Sequence, residues 1–347
     1  MIGVSVVGAG VVGSLLGRWV LPPSPLPRPA GPLPVGTAVV EVEGARRLPV
    51  QIWYPAATAE GHPARLFPSP AVPEVIAAHY GIPPWVLRPL GRIRGHALDG
   101  VPARATTRGL ALVVHGWMGF RGIHADLAED LASDGWVVVA ADHVGGALAT
   151  QYPDGTATGL DPSLMPPDGA PDYGPRVTRL VRRFARDAAA VLDGVGALGA
   201  GVLGAGVLPD GLVMPPVRDV LVIGQSTGGG AAVDLARDDD RVGGVVGLDP
   251  WVEPVWPPER RVLSQPMIAV RSGQWIGNAN DAVLRAMPGV ELRAVEQAGH
   301  TDLTVLGYFT PLTRLTGLSR CDPALPHDAA LAAIADVIAR MDARSGI

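Results

Sequence analysis

Short apolar runs alternate with amphipathic segments over the last two thirds of the chain. Six runs have the length and composition of buried strands: 110–114, 136–141, 219–223, 244–248, 267–270 and 292–295. Four segments between them carry apolar residues at helical spacing: 123–133, 176–198, 229–236 and 281–286. Buried strands that alternate with helices form mostly parallel sheets covered on both faces. The pattern therefore predicts an α/β fold of this kind.

Two segments with alternating apolar and polar residues, 37–42 and 48–54, precede this region. This period of two predicts an antiparallel hairpin, which we place at an edge of the sheet. Residues 35–347 are assigned to one domain with two insertions, a Pro-rich, lid-like one near 55–107 and another near 144–175. The Gly/Val-rich stretch 194–214 has no clear period, and no element is predicted for it.

The first 34 residues differ from the rest in composition. Residues 1–21 are mostly apolar, with Arg18 as their only charged side chain, and approach the ~20 residues that span a bilayer. A Pro-rich linker follows to residue 34. Three interpretations stand: an uncleaved membrane anchor, a helix packed on the domain, or a weak export signal. Association with a membrane through residues 1–21 favours a membrane or cell-envelope location, with the cytoplasm as the alternative.

The same segment contains Gly8-Ala9-Gly10-Val11-Val12-Gly13, which imitates a dinucleotide-binding fingerprint. That fingerprint needs a following helix, a second strand and an acidic residue about 20 positions further on. Five prolines occupy this region instead, between Pro22 and Pro29. Proline lacks the amide donor that helices and central strands need, so no nucleotide cofactor is expected.

Composition narrows the chemistry further. The 347 residues carry a net charge of −5, which gives no basic surface for nucleic acid. Cys321 is the only cysteine, so an intrachain disulfide and a cysteine-based zinc cluster are excluded. The sequence contains no lysine, which excludes Schiff-base catalysis. We expect no metal or cofactor, and the composition does not indicate an oligomeric state.

The strongest local signal is Gly224-Gln225-Ser226-Thr227-Gly228, which follows the 219–223 strand and precedes a helix. A strand that runs through G-x-S-x-G into a helix is a nucleophile elbow, which projects the serine hydroxyl above the sheet. The helix N-terminus favours negative charge, and the amide of the residue after the serine is an oxyanion donor. Ser226 is therefore the candidate nucleophile, and the Thr227 amide is one candidate oxyanion donor.

A second signal, His115-Gly116-Trp117, follows the 110–114 strand. In hydrolases with this strand order, the loop after an early strand supplies the other oxyanion donor, which here is the Trp117 amide. His115 itself is interpreted as a buried histidine of the turn and is not proposed as the base.

The general base should follow the nucleophile in the chain. Only His300 and His327 do so, and His300 lies directly after the 292–295 strand, so it is the candidate base. His327 is interpreted as a cap of the final helix. The candidate acid is Asp249, at the end of the 244–248 strand, where it would orient the imidazole. Its alternatives are Glu253 and Asp281, whereas Asp302 is too close to His300 in sequence.

The pattern of motifs resembles the platelet-activating-factor acetylhydrolases of the plasma and intracellular type II group, a family of α/β-hydrolases. The resemblance runs from about residue 31 to 320 and rests on these segments: Gly31-Pro32, 35–37, 48–55, 114–116, Phe120-Arg121, 130–138, Asp142-His143 and Leu248-Asp249-Pro250-Trp251. The last segment is the most distinctive, because the strand ending at Val270 offers no carboxylate. Gln225 and Thr227 depart from the family's Gly-His-Ser-Phe/Met-Gly-Gly, and residues 144–175 have no obvious counterpart.

The resemblance implies a Ser226–His300–Asp249 triad and calcium-independent hydrolysis of short or oxidised acyl chains from phospholipid-like esters. The expected partner is thus a small-molecule or lipid ester, and Trp251, Trp256 and Trp275 are candidates for an apolar acyl pocket. Two alternatives remain. Ser226-Thr227-Gly228-Gly229-Gly230 also resembles cutinase-like polyester hydrolases, and a non-catalytic membrane-associated protein can share the fold.

Overall fold

The computed structural model describes residues 26–105, 107–199, 208–256, 263–310, 313–315 and 317–346. Its strands are β1 Val35–Glu43, β2 Arg47–Pro55, β3 Pro63–Arg65, β4 Arg94–Asp99, β5 Leu110–Val114, β6 Val137–Ala141, β7 Ala149–Gln151, β8 Ala157–Gly159, β9 Val220–Gln225, β10 Val242–Leu248, β11 Met267–Ser272 and β12 Val290–Val295. Its α-helices are α1 Val72–Tyr80, α2 Ala125–Ser133, α3 Tyr173–Gly199, α4 Thr227–Asp238, α5 Ala279–Ala286 and α6 Ala324–Ser345. Short 3₁₀ segments cover Pro84–Arg92, Pro162–Leu164, His300–Leu303 and Val305–Tyr308.

Ten of the strands form one sheet in the order β12-β11-β10-β9-β5-β6-β2-β1-β4-β3. The six strands from β12 to β6 run parallel, as the apolar runs predict. Helices α2 and α6 cover one face of the sheet, and α3 and α4 cover the other. Each face has a separate hydrophobic core between the sheet and its helices. The predicted mostly parallel sheet with helices on both faces is confirmed.

Strands β5 and β9 are neighbours at the point where the chain changes its direction of winding. From β5 the chain moves to β6 on one side, and from β9 it moves to β10 on the other. The loops that leave such a point diverge, and the crevice between them is where ligands bind in open α/β sheets. The candidate nucleophile and oxyanion loops leave from these two strands.

The predicted N-terminal hairpin is confirmed as β1 and β2, but its expected place at the sheet edge is wrong. β2 pairs with β6, and β1 continues the sheet into β4 and β3. The polar sequence of β4 gives no strand pattern, and two of its amides donate to a side chain from α2. The buried Glu129 carboxylate accepts hydrogen bonds from the His96 and Ala97 amides, and burial raises the pKa of Glu129 to about 7.

The two segments expected as insertions contain regular structure. Residues 55–107 supply β3, α1, a 3₁₀ segment and β4, and α1 packs into the core that α2 covers. Residues 144–175 supply the small β7–β8 hairpin and a 3₁₀ turn. Of the stretch 194–214, residues up to 199 extend α3, and 200–207 lie outside the described residues.

Residues 1–25, with the fingerprint-like glycines and the segment expected to associate with a membrane, also lie outside the described residues. Within the part of the chain that the structure describes, no helix has the length and apolar character needed to cross a bilayer.

Candidate active site

Ser226 occupies the single residue between the end of β9 and the start of α4. Its backbone is left-handed, with φ 54° and ψ −121°, a strained conformation for a residue with a side chain. The glycines on either side are required by close packing. A methyl group at Gly224 would overlap the Gly228 carbonyl, and one at Gly228 would overlap the Val114 carbonyl. The local sequence therefore folds into a sharp turn that holds the serine at the carboxyl edge of the sheet.

The loop after β5 lies beside this turn. Met118 in it also has a left-handed backbone, with φ 63°, and its amide donates to the Gly146 carbonyl. Within the described residues, neither the Trp117 amide nor the Thr227 amide donates to a protein acceptor. Both amides are thus available to a substrate oxygen, and their role as oxyanion donors stays a prediction.

His115 holds the loop after β5 against the loop after β6 and takes no part in proton transfer in this geometry. Its Nε2 accepts a hydrogen bond of 3.1 Å from the His143 amide, and its Nδ1 lies 2.7 Å from the Gly116 carbonyl. Burial, with the nearby His143, lowers the pKa of His115 well below its ordinary value. The ring is therefore neutral and fixed.

His300 and Asp249, 51 positions apart in the chain, are in direct contact. His300 Nδ1 lies 2.9 Å from Asp249 Oδ2. The Asp249 carboxylate also accepts hydrogen bonds from the Ser272 hydroxyl at 2.5 Å and the Ser272 amide at 2.7 Å. Asp249 is fully buried at the end of β10, with a left-handed φ of 44°, whereas the His300 side chain is 22% exposed. The pair has the geometry of an oriented base.

The alternative acids are engaged elsewhere or exposed. Asp281 pairs with Arg271 and Arg285 and accepts the Gly277 amide. Burial alone would raise the pKa of Asp281, but these hydrogen bonds lower it below its ordinary value. Glu253 is exposed. Neither residue contacts the candidate base.

Asp302 has a role in the loop that carries His300. It accepts hydrogen bonds from the Gly299 amide at 2.7 Å and the Arg320 amide at 3.0 Å. The Gln274 side chain accepts the His300 amide at 3.0 Å. The backbone on both sides of the imidazole is therefore fixed, which the sequence did not indicate.

The expected capping role of His327 is wrong. This residue lies inside the first turn of α6, where Nδ1 is 2.9 Å from Asp126 and Nε2 is 3.1 Å from Asp130, both on α2. Burial lowers the pKa of His327, but these two hydrogen bonds outweigh it and raise the pKa to about 10. The histidine is therefore a charged link between two helices, since the carboxylates draw it away from the helix end.

The second nitrogen of the base is also in contact with a protein group. His300 Nε2 lies 3.1 Å from Gln225 Nε2. The Ser226 hydroxyl has no hydrogen-bond partner among the described residues. The motif departure at Gln225 is the one sequence signal that could have pointed to this contact.

The three tryptophans expected to line an acyl pocket divide into two groups. Trp275 stacks on the His300 ring, with centroids 4.3 Å apart and planes 10° apart. Trp251 and Trp256 are half-buried against the core under α3 and α4, as is Trp117. Trp275 therefore covers one face of the His300 ring. A shared acyl pocket formed by the three tryptophans stays a prediction.

Among the described residues, no group of three or more His, Cys, Asp or Glu side chains is placed to hold a metal ion.

A serine elbow at the centre of a mostly parallel sheet, with a histidine–aspartate pair at the same edge, is the arrangement of the α/β-hydrolase fold, and this chain has that fold. Among solved structures, it is similar to a ferulic acid esterase from Streptomyces cinnamoneus, with a TM-score of 0.69 and 24% identity over 92% of each chain. It is also similar to a structure named "m3DLH", with a TM-score of 0.50 and 14% identity over 89% of this chain and 99% of that one. No protein-family model and no curated protein matches the sequence.

Proposed function

We propose that this protein is a serine hydrolase that cleaves carboxylic esters through an acyl-enzyme. The observation that carries the proposal is the hydrogen bond between His300 and the buried Asp249 at the sheet edge where the elbow presents Ser226. The similarity in fold to a ferulic acid esterase supports the same reaction class.

The Ser226 hydroxyl attacks the ester carbonyl while His300 Nε2 accepts its proton. Asp249 holds the proton on Nδ1 of the neutral ring and stabilises the imidazolium that forms. The Trp117 and Thr227 amides donate to the oxyanion. His300 then protonates the leaving alcohol and activates the water that hydrolyses the acyl-enzyme.

Two substrate classes follow from different observations. The position of the acid after β10 supports short-chain acyl or phospholipid-like esters, because it is the feature most distinctive of the acetylhydrolase resemblance. The aromatic face of Trp275 beside the base supports esters of aromatic acids such as ferulic acid, the acid for which the similar esterase is named. Polyester hydrolysis and a non-catalytic role are the remaining alternatives.

The test is hydrolysis of p-nitrophenyl acetate, butyrate and octanoate by the full chain, the Ser226→Ala variant and a matched Ser264→Ala variant. Ser264 is a loop serine next to Gln265. We expect Ser226→Ala alone to lose turnover. Equal rates in all three proteins would remove Ser226 as the nucleophile and favour the non-catalytic alternative.

Substrate class is tested with methyl ferulate, an acetyl phospholipid in mixed micelles and an aliphatic polyester film. Phospholipid turnover exceeding the other two supports the acetylhydrolase-like proposal. Faster cleavage of methyl ferulate replaces it with an aromatic-acid esterase, and release of soluble acid from the film replaces it with a polyester hydrolase.

A further inference from the structure

The Gln225 side chain lies between Gly116, in the loop after β5, and the candidate base His300. Gln225 is the last residue of β9 and is 6% exposed. Its Nε2 is 3.1 Å from His300 Nε2. Its Oε1 lies against Gly116, where an added methyl carbon would be only 2.5 Å away. The amide is thus confined on both sides by groups of the candidate site.

The chemistry of the imidazole decides what this contact does. Nδ1 faces the Asp249 carboxylate, which can only accept, so the neutral ring carries its proton there. Nε2 then has a lone pair, and the Gln225 amide donates to it. A ring nitrogen has one such lone pair, so Ser226 cannot donate to it at the same time.

Resting on the proposed function, we propose that Gln225 is a positioning residue that occupies the lone pair of the base in the resting protein and leaves it before Ser226 is deprotonated. Once His300 has taken the serine proton, its Nε2 is itself a donor. The Gln225 amide would then face it donor to donor. Departure of the amide is therefore part of the acylation step, and the nucleophile is less reactive at rest than the triad alone would make it.

The test measures how fast Ser226 reacts with an alkyl fluorophosphonate. In this reaction an Oγ–P bond forms, the P–F bond breaks with loss of fluoride, and the serine proton passes to His300 and then to solvent. Gln225→Met keeps the length of the side chain and removes the donor. We expect its second-order rate of inactivation to rise about fivefold, which corresponds to about 1 kcal/mol for one hydrogen bond.

The matched control is Gln265→Met, whose amide bonds the Ala236 carbonyl away from the site and whose rate should equal that of the unsubstituted protein. A faster reaction of Ser226 in Gln225→Met cannot result from structural damage, because damage to the site lowers the rate. An unchanged or lower rate in a Gln225→Met protein with the normal melting temperature would overturn it.

A second measurement leaves Gln225 in place. Nitrogen-15 NMR of Ser226→Ala should still show His300 Nε2 as a hydrogen-bond acceptor, whereas a shift to a free ring nitrogen would overturn the proposal. Fluorophosphonate labelling of Ser226→Ala distinguishes failure of the proposed function from failure of this inference. Labelling equal to that of the unsubstituted protein refutes the proposed function, whereas Ser226-dependent labelling that is insensitive to Gln225 refutes only this inference.

Discussion

Replacement of Asp249 by asparagine tests the orientation of the base. The carboxylate accepts three hydrogen bonds, two from Ser272 and one from His300 Nδ1. Asparagine keeps one acceptor oxygen, which can serve the Ser272 amide. Its NH₂ group then faces the Ser272 hydroxyl and the His300 ring. The hydroxyl can rotate to accept a hydrogen bond. The ring can accept one at Nδ1 only if the ring proton moves from Nδ1 to Nε2. In that tautomer the base has no lone pair for Ser226.

We therefore expect kcat of Asp249→Asn to fall about 10⁴-fold, the size of the effect when the triad aspartate of a serine protease becomes asparagine. This corresponds to about 5 kcal/mol in the activation free energy. The assay is turnover of p-nitrophenyl acetate, with thermal unfolding followed in parallel to show that the fold is intact.

The matched control is Asp281→Asn, the alternative acid. Asp281 pairs with the buried Arg271, so its loss should reduce stability by about 3 kcal/mol while kcat of the folded protein stays within about tenfold. An Asp249→Asn protein that melts normally and retains kcat within tenfold would refute the role of Asp249 in orienting His300. A collapse of kcat in folded Asp281→Asn would show that the acid was assigned wrongly.

Three further substitutions have defined outcomes. Gly116→Ala places a methyl carbon 2.9 Å from Ser226 Cβ and 3.1 Å from the Gln225 carbonyl oxygen, and the resulting displacement of the candidate nucleophile from the loop after β5 should lower kcat/KM about 100-fold. Trp275→Leu removes the ring stacked on His300 and should lower kcat about fivefold, since such stacking contributes about 1 kcal/mol. His327→Gln should lower the melting temperature most at pH values below about 6.5, and the difference should vanish as pH rises through about 10. The reason is that a group whose pKa is raised on folding to about 10 contributes stability only while it is protonated.

Each of these has a matched control on the same residue type. The control for Gly116 is Gly91→Ala, which adds a methyl group with no atom within 4 Å. The control for Trp275 is Trp85→Leu, at a side chain that is 53% exposed, and the control for His327 is His62→Gln, at an exposed loop histidine. Equal losses of kcat/KM in the two glycine variants, or equal losses of kcat in the two tryptophan variants, would contradict the assigned contacts. A melting difference for His327→Gln that grows above pH 8 would contradict the charged link between α2 and α6.

Five of the six parallel strands could be predicted because they are buried on both faces and contain continuous apolar runs. β12, at the edge of the sheet, is only partly buried and includes Glu291 and Arg293, so only its last residues gave an apolar signal. The order of the outer strands could not be predicted. β4 has the sequence Arg94-Gly95-His96-Ala97-Leu98-Asp99, and Glu129, more than 30 positions away, accepts the amides of His96 and Ala97 in its middle. A strand whose amides bond to a side chain of another element need not have an alternating apolar pattern. Without a sign of β4 in the sequence, the β1–β2 hairpin is predicted to lie at the edge of the sheet.

The candidate site divides in the same way. The elbow follows from a local strand–turn–helix pattern, and the base and acid follow from chain order and strand ends. The contacts of Ser272 with Asp249 and of Gln225 with His300 depend on which loops meet at the sheet edge. Gln225 and His300 are 75 positions apart, and glutamine is compatible with many environments, so only the fold identifies the contact.

Met118, Ser226 and Asp249 follow three neighbouring strands and share a left-handed backbone that residues with side chains avoid. Each such residue costs about 1–3 kcal/mol, and glycine at the same place would not. Directed evolution for heat resistance alone should therefore enrich glycine at position 226, where the lost hydroxyl has no hydrogen-bond partner among the described residues, and so remove the candidate nucleophile. A thermostability campaign on this scaffold needs counter-selection for turnover in every round.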